Sequence, residues 1–376
     1  MRSASDGERQ RLNDTFQTLC RIESPSFHER ACADWVAAEL RALGLEVEED
    51  DAGARVGSNA GNLLTRIAGR GEESLLLCAH LDTVPLTAAV EPVIVDGGWE
   101  NAHDGILGAD NKSAVSILIE LARRLVSNPP EVGVELLFTV CEEVSLRGSR
   151  EFDVGRLQSS FGYVFDHATP IGEIVLASPS HQRLFAEMRG RAAHAGLRPE
   201  AGRSAIAAVS HGIAQMRLGR LDEETTANVG TIAGGTAINV IPESCRIEAE
   251  VRSVDEDKLQ TAVTDMIDRL QDAANASECD LDVTVERMFE GYKTRRSAPQ
   301  VALAERALRS CGYEPIHIAS GGASDANSFN AVGFQCTNLA DGSERNHQPD
   351  ERISIDALEG MFEVAIALVE EAGHGI

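Results

Sequence analysis

The chain has 376 residues, of which 43% are hydrophobic and 25% charged, and its formal net charge is -26. This length exceeds what one hydrophobic core usually supports, so two domains are expected. The acidic balance disfavours binding to phosphate backbones and to anionic lipid, because like charges repel. We therefore predict neither a nucleic-acid partner nor a membrane partner.

The N-terminal residues and the cysteines favour a cytoplasmic location. Residues 1–14 are polar and charged and lack the apolar stretch of a secretory signal. No apolar run in the sequence is long enough to span a bilayer. The eight cysteines are scattered without CxxC spacing, and most lie in apolar segments, as buried reduced thiols do.

The first part of the chain predicts helices alternating with strands. Apolar residues recur at helical spacing from Asp14 to Leu43, which predicts two leading helices that end near Gly44. Short apolar runs predict strands at 63–67, 74–79, 134–140 and 163–165, with a helix at 114–126. This alternation indicates a mostly parallel sheet with helices on both faces.

The pattern changes after about Ser178. Strands are predicted at 183–192, 227–234, 246–252 and 281–289, and helices at 203–218 and 255–274. Their order, β-α-β-β-α-β, is the split βαβ pattern of a small ferredoxin-like domain, complete in itself. The sequence therefore predicts an inserted domain of residues 178–290.

The first pattern resumes after the insertion. Helices are predicted at 299–309 and 356–371, and strands at 315–319 and 336–339. Residues 1–177 and 291–376 are therefore expected to form one discontinuous α/β domain that carries the catalytic chemistry.

Polar residues follow several predicted strands directly. In an open α/β sheet, ligands bind beyond the carboxyl ends of the strands, so chemistry is expected there. Two further candidates lie elsewhere, one in a glycine-bearing turn before the helix at 114–126 and one in a late loop. The candidates are His80, Asp82, Asp110, Glu142, Glu143, Asp166 and His347.

Two imidazoles and three carboxylates without a thiolate suit a catalytic site for zinc, cobalt or manganese. One shared carboxylate would let two ions lie about 3.5 to 4 Å apart, where they activate water and polarise a scissile carbonyl together. Glu142 then remains as general base for the water and acid for the leaving amine. Each residue alone has an ordinary alternative as a helix cap, turn residue or satisfied polar group, but their convergence favours the metal site.

Four segments resemble the motifs of one enzyme family. They are 79–84 (AHLDTV), 108–112 (GADNK), 141–143 (CEE) and 162–166 (GYVFD). These are similar to motifs of the dizinc exopeptidases that include peptidase T, glutamate carboxypeptidase and aminoacylase. The resemblance covers nearly the whole chain and implies a zinc-exopeptidase-like domain with an inserted lid and dimerisation domain, and hence a homodimer.

The resemblance assigns five residues to two divalent ions. His80 and Asp166 would bind one ion, Glu143 and His347 the other, and Asp110 would bridge them. Zinc is the expected metal, with cobalt and manganese as alternatives. In relatives the peptide bond after the bridging aspartate is cis.

Three more side chains would act beside the ions. Asp82 would orient His80, as carboxylates do for metal-bound imidazoles, and Glu142 would be the general base. In relatives the histidine that matches His194 reaches across a dimer to the substrate carbonyl, where it would stabilise the oxyanion. The alternative for His194 is a plain loop histidine.

Substrate contacts are expected at three places. Asn239 and Arg252 resemble substrate-contacting positions of the family, although Arg252 could instead form a surface ion pair. The loop at Ser320, Gly321 and Gly322 joins a strand to a helix, and its amides are expected to hold a substrate terminus. This loop resembles the peptidase T branch, which favours short peptides as substrates.

The leading hypothesis is an aminopeptidase that removes the N-terminal residue from tripeptides and similar short peptides. A dimetal carboxypeptidase and an N-acyl amino acid amidohydrolase would use the same metals and base. Outside the enzymes, the same fold could serve as a non-catalytic binding or assembly module. Competent residues at every metal and base position disfavour that last hypothesis.

Overall fold

The computed structural model describes residues 3–375. They form two compact units: unit 1 runs up to Leu176 and resumes at Thr294, and unit 2 is Ala177–Lys293. Where the chain enters and leaves unit 2, Ala177 pairs antiparallel with Lys293, and the next residue, Ser178, pairs with Tyr292. The limits of unit 2 lie close to the 178–290 expected for the inserted domain.

The helices and strands follow in chain order. The helices are α1 (Asp6–Cys20), α2 (Arg30–Ala42), α3 (Ala52–Val56), α4 (Ala109–Ser127), α5 (Arg147–Arg150), α6 (Ala205–Gln215), α7 (Glu256–Ala276), α8 (Pro299–Ser310), α9 (Asp325–Ala331) and α10 (Ile355–Ala372). Across residues 3–375, none of them combines the length and apolar character needed to cross a bilayer.

The strands are β1 (Val47–Glu49), β2 (Leu63–Ile67), β3 (Ser74–His80), β4 (Pro92–Val95), β5 (Gly98–Asn101), β6 (Gly133–Thr139), β7 (Phe161–His167), β8 (Glu173–Ser178), β9 (Ser180–Arg189), β10 (Gly219–Arg220), β11 (Thr225–Gly234), β12 (Ser244–Ser253), β13 (Asp280–Phe289), β14 (Tyr292–Lys293), β15 (Ile316–Ala319), β16 (Gln335–Ala340), β17 (Ser343–Glu344) and β18 (Arg352–Ser354).

The main sheet of unit 1 has the strand order β1-β2-β6-β3-β7-β16-β8. Its four central strands, β6, β3, β7 and β16, run parallel. Every residue of β3 is buried, as expected for a strand covered on both faces. The predicted parallel sheet is therefore confirmed at its centre, whereas β1, β2 and β8 at the flanks pair antiparallel.

Helix α4 forms the middle of the core of unit 1. It is buried from Ala109 to Ala122 because it packs against β3 on one side and against α1 and α10 on the other. Phe16, Phe138 and Phe362 are fully buried in the same core. The start of α4, which carries Asp110, is thereby anchored in this core.

A second, small sheet in unit 1 was not predicted. Its order is β17-β18-β5-β4, and all its pairs are antiparallel. Asp96 and Gly97 join β4 to β5 with φ values of 46° and 73°, the left-handed conformation that suits an Asp-Gly hairpin turn. This sheet borders two loops that carry predicted ligands, because β5 leads into the turn before Asp110 and β17 and β18 flank the loop of His347.

Unit 2 has the predicted ferredoxin-like order of elements. Strands β13-β9-β12-β11 form an antiparallel sheet, extended by the two-residue β10. Alternate residues of β12, Ile247 and Val251 among them, point into a core shared with Val209 of α6 and Leu259 of α7. This unit therefore has its own hydrophobic core.

Candidate metal centre and active site

The carboxyl ends of three neighbouring parallel strands carry most of the predicted ligands. His80 is the last residue of β3, and Asp166 lies near the end of β7, which is parallel to it. Glu142 and Glu143 follow β6 on the other side of β3. Because parallel strands end at the same edge of a sheet, these side chains are brought together.

Asp110 lies between two groups of ligands. Its Oδ1 is 3.0 Å from His80 Nε2, which is 3.6 Å from Asp166 Oδ1. Its Oδ2 is 3.2 Å from His347 Nε2, which is 2.9 Å from Glu143 Oε1. In each of these two trios the potential ligand atoms lie within 4.8 Å of one another. The nitrogen and oxygen donors, with one shared carboxylate, fit a pair of divalent cations.

Asp82 contacts both His80, as predicted, and the turn that follows β6. His80 Nδ1 is 2.9 Å from the backbone oxygen of Asp82 and 3.5 Å from its carboxylate. The carboxylate accepts the N–H groups of Glu142 and Glu143 at 2.9 and 3.2 Å and the Ser26 hydroxyl at 2.7 Å. Asp82 therefore orients His80 mainly through its main chain, and its side chain holds the turn that bears the predicted base.

Glu351 is a buried residue next to the predicted ligands that the sequence did not indicate. Its buried carboxylate accepts the N–H groups of Leu107, Gly108 and Asp110 at 2.8, 2.7 and 2.9 Å. The Asp110–Asn111 peptide bond is cis, as in the family it resembles. Glu351 thus fixes the turn that presents the shared carboxylate, yet its sequence context is an ordinary polar loop.

The two histidines among the predicted ligands, His80 and His347, have raised pKa values. Burial opposes the charged form of His80, but hydrogen bonds with Asp110, Asp166 and Asp82 outweigh it and hold its pKa well above the usual value. Hydrogen bonds with Asp110 and Glu143 raise the pKa of His347 to about 10. A metal ion must displace these protons, so metal affinity should increase with pH.

Glu142 has the environment of a general base. It is buried, and its ligand-type atoms lie within 4.8 Å of those of His80 and Glu143. Burial, followed by repulsion from Asp166, raises the pKa of Glu142 well above that of a free glutamate. A carboxylate with a raised pKa takes up a proton more readily than an exposed one, as base catalysis requires.

The buried carboxylates around Asp110 should make the metal-free protein less stable as pH rises. Burial, the largest cause, raises the pKa values of Asp341 and Glu351 to about 7. Because the folded state binds these protons more tightly than the unfolded chain, each group contributes stability below about pH 4 that is lost as pH rises through 7. The expected loss is roughly 1.4 kcal/mol per pH unit for each group.

Thermal unfolding measured between pH 4 and 8 tests this expectation. With a chelator, Tm should fall across the range, and saturating zinc should reduce the fall because cations stabilise the ionised ligands. The Glu351→Gln variant serves as the control, since it removes one titrating group and should flatten the decline. A Tm that is constant or rises with pH in the chelator would contradict the assignment.

His194 and Asn239 lie together in unit 2, on two adjoining loops. The N–H of Ala195 donates to the Asn239 carbonyl at 2.9 Å. His194 Nδ1 accepts the N–H groups of Gly196 and Leu197, each at 3.2 Å. Two donors at Nδ1 place the ring proton of a neutral imidazole on Nε2, which can then donate to an acceptor.

Arg252, also in unit 2, forms the surface ion pair that was its alternative. Its Nη2 lies 3.2 Å from Glu250 Oε2, and both side chains are about one-third exposed. Such a pair contributes little to stability and can be exchanged for another carboxylate at low cost. A role of Arg252 in binding a substrate carboxylate stays a prediction.

The loop of Ser320, Gly321 and Gly322 joins β15 to α9 in unit 1, as predicted. A side chain at Gly321 would meet nothing within 4 Å, so the backbone there is open to a ligand. The N–H of Gly322 already donates to Ser320 Oγ at 3.0 Å. Asp325, buried at the start of α9, accepts the hydroxyl of Thr139 and so ties this loop to the end of β6.

Comparison with known proteins agrees with this geometry. Residues 181–278 match the family model of the peptidase dimerisation domain, and residues 62–168 match that of peptidase family M28. The crystal structure of aminopeptidase PepT from Bacillus cereus ATCC 10987 is 35% identical, with a TM-score of 0.88, over 96% of this chain and 98% of that one. The chain belongs to the dizinc peptidase family that includes peptidase T.

Two further relatives are similar over nearly the whole chain, and a third over about two thirds of it. A tripeptidase from Staphylococcus aureus is 31% identical, with a TM-score of 0.93, over 98% of this chain and 99% of that one. The uncharacterized protein YqjE of Bacillus subtilis is 34% identical over 96% of this chain and 98% of its own length. A probable carboxypeptidase of Paracoccidioides brasiliensis is 31% identical, over 64% of this chain and 60% of its own. This member of the family is a metal-dependent peptidase.

Proposed function

We propose that this metallopeptidase is an aminopeptidase that removes the N-terminal residue from short peptides, tripeptides in particular. The observation that carries the proposal is the pair of ligand trios that share Asp110, with Glu142 beside them. The similarity to an aminopeptidase and to a tripeptidase over nearly the full chain supports the choice of substrate.

The ligands would divide between two zinc ions, with cobalt and manganese as alternatives. His80 and Asp166 would hold one ion, Glu143 and His347 the other, and Asp110 would bridge them. When bound, the ions supply Lewis acidity for the scissile carbonyl and lower the pKa of the attacking water.

Glu142 carries the proton in this mechanism. Its carboxylate would take a proton from the attacking water and pass it to the leaving amine. Asp82 supports both steps, because its side chain holds the N–H groups of Glu142 and Glu143 while its carbonyl fixes the ring of His80. The base and the ligands are therefore positioned before substrate binds.

We assign the substrate contacts that the family resemblance indicates. His194 would stabilise the oxyanion through its Nε2–H group, and Asn239 and Arg252 would contact the substrate backbone and a carboxylate. The open backbone at residues 320–322 would hold a peptide terminus. Unit 2 includes the segment matched by the dimerisation-domain model, which supports a homodimer formed through this unit.

We also propose a cytoplasmic location. The support comes from the cysteines: all eight are free thiols, and most of them are buried. Proteins of oxidising compartments more often carry disulfides, so this pattern favours a reducing compartment.

Blocking one end of the substrate tests which terminus is recognised. One unblocked tripeptide is compared with its N-acetylated and C-amidated forms, in the presence of zinc, cobalt or manganese and with a chelator control. Chelator-sensitive cleavage of the unblocked and amidated forms alone is expected. Cleavage of the acetylated form would instead favour a carboxypeptidase or N-acyl amino acid amidohydrolase, and the similarity to fungal probable carboxypeptidases makes this the second candidate.

A further inference from the structure

A short segment between α1 and α2 ties together the strand ends that carry the site. We call residues 24–29 the N-terminal strap. Ser24 Oγ donates to the Leu81 carbonyl at 2.8 Å, and the Thr83 N–H donates to the Ser24 carbonyl at 3.0 Å. Ser26 Oγ donates to the Asp82 carboxylate at 2.7 Å. The strap therefore lies along the chain that follows His80.

The last residue of the strap, Glu29, contacts the turn that follows β6, the strand that pairs with β3 in the sheet. Its side chain is fully buried. Oε1 accepts the N–H groups of Phe27 and Cys141, each at 3.0 Å, and the Cys141 thiol at 3.2 Å. Oε2 accepts the Ser58 hydroxyl at 2.5 Å. A buried carboxylate is costly unless it is hydrogen-bonded, and these four donors satisfy it.

The two main-chain donors on Glu29 are in an unusual conformation. Phe27 has a φ of 73° and Cys141 a φ of 55°, values in the left-handed region that residues with a side chain rarely adopt. Such conformations persist only when the surroundings hold them. Glu29 holds both turns with a single oxygen atom.

The turn after β6 carries Glu142, the predicted base. Buried carboxylates accept three consecutive N–H groups of this turn. Glu29 accepts that of Cys141, and Asp82 accepts those of Glu142 and Glu143. The strap joins the two carboxylates, because Ser26 donates to one and Phe27 to the other.

We infer that Glu29 is a positioning residue for the metal centre: it fixes the Cys141 turn and so sets where Glu142 and Glu143 stand relative to the other ligands. This inference rests on the proposed function for the role of Glu142. Glu143 is a predicted ligand of only one ion. A turn loosened by the loss of Glu29 should therefore weaken that ion site and spare the other.

Glu135 provides a matched control for a merely structural effect. It is also buried, lies at the opposite end of β6, and accepts the N–H groups of Gln158 and Ser159 at 2.9 and 2.8 Å. Removing either carboxylate deprives a turn of its acceptor. Only the turn held by Glu29 carries site residues.

The test compares Glu29→Ala, Glu29→Gln and Glu135→Ala by zinc titration of the metal-free protein and by tripeptide hydrolysis at saturating zinc. Glu29→Ala should weaken one of the two ion sites about 10- to 100-fold and lower kcat by a similar factor, with KM changed about 3-fold or less. Glu29→Gln should stay within about 3-fold on both measures, because its amide oxygen still accepts from Phe27 and Cys141. Glu135→Ala should lower Tm alone.

Three results would overturn the inference: wild-type ion affinities and kcat in Glu29→Ala, equal losses in Glu135→Ala, or a Glu29→Gln variant as impaired as Glu29→Ala. If Glu29→Ala does not fold, Glu29→Asp replaces it, since a side chain shorter by one methylene cannot reach both turns. If the wild type cleaves no tripeptide, the proposed function fails, and the zinc titration still decides the role of Glu29.

Discussion

Replacing Glu142 by glutamine should lower kcat for tripeptide hydrolysis by about 10³-fold while two metal ions per subunit remain bound. Glutamine has the size of glutamate but cannot take a proton from water. Metal content should persist because the two trios around Asp110 do not include Glu142. Steady-state kinetics and elemental analysis of the same preparation measure both quantities.

Glu120→Gln is the matched control for this variant. Glu120 is also a buried carboxylate of unit 1, on α4, where it pairs with Arg11 away from the metal centre. The kcat of the Glu120→Gln variant should equal that of the wild type. If Glu142→Gln retained kcat to within about tenfold, Glu142 would not be the general base.

Replacing Asp110 by asparagine should have an equally large effect through a different cause. Both oxygens of Asp110 face ligands, Oδ1 toward His80 and Oδ2 toward His347. Asparagine keeps one oxygen and presents an NH₂ group, which cannot bind a cation, in place of the other. We expect bound metal to fall from two ions to one or fewer per subunit, and kcat to fall about 10³-fold or more.

Asp153→Asn makes the same chemical change at an exposed turn of unit 1, where the side chain accepts a backbone N–H from Gly155. This control should keep both ions and full activity. Two ions bound by the Asp110→Asn variant with wild-type affinity would contradict a bridging role for Asp110.

Much of the fold was predictable because the local patterns were strong. The run from Ser74 to Ala79 predicts a strand, and the structure has a buried strand there that extends one residue further, to His80. The order of elements in unit 2 also followed from periodicity, since β12 alternates buried and exposed residues and α7 repeats at helical spacing. Periodicity reports burial, however, and not the direction of pairing. The strand at 63–67 was predicted, but its antiparallel pairing as β2 was not, and the antiparallel strand β8 was not predicted at all.

The small sheet of β4, β5, β17 and β18 was missed for another reason. Its strands have two to four residues, too few for any periodic signal. The sheet nevertheless connects the loop of His347 to the turn of Asp110, through Glu351 directly before β18. The sequence thus indicated the ligands but not the framework that joins them.

The buried carboxylates that support the site, Glu29 and Glu351, could likewise not be predicted from the sequence. His80, Asp166 and Glu143 follow the strands predicted from the sequence, and that position alone marks them as candidates. Glu29 and Glu351 act by accepting backbone N–H groups from chain segments more than 100 residues away. No local pattern records such a contact, so these residues appear only in the folded structure.

The central claim is that this chain is a peptidase whose activity depends on two bound cations. Metal-free protein is titrated with zinc while bound metal and hydrolysis of an unblocked tripeptide are followed together. We predict no cleavage without metal and a rate that saturates when two ions are bound per subunit. Full cleavage in a chelator with no metal bound, or saturation at one ion, would contradict the claim.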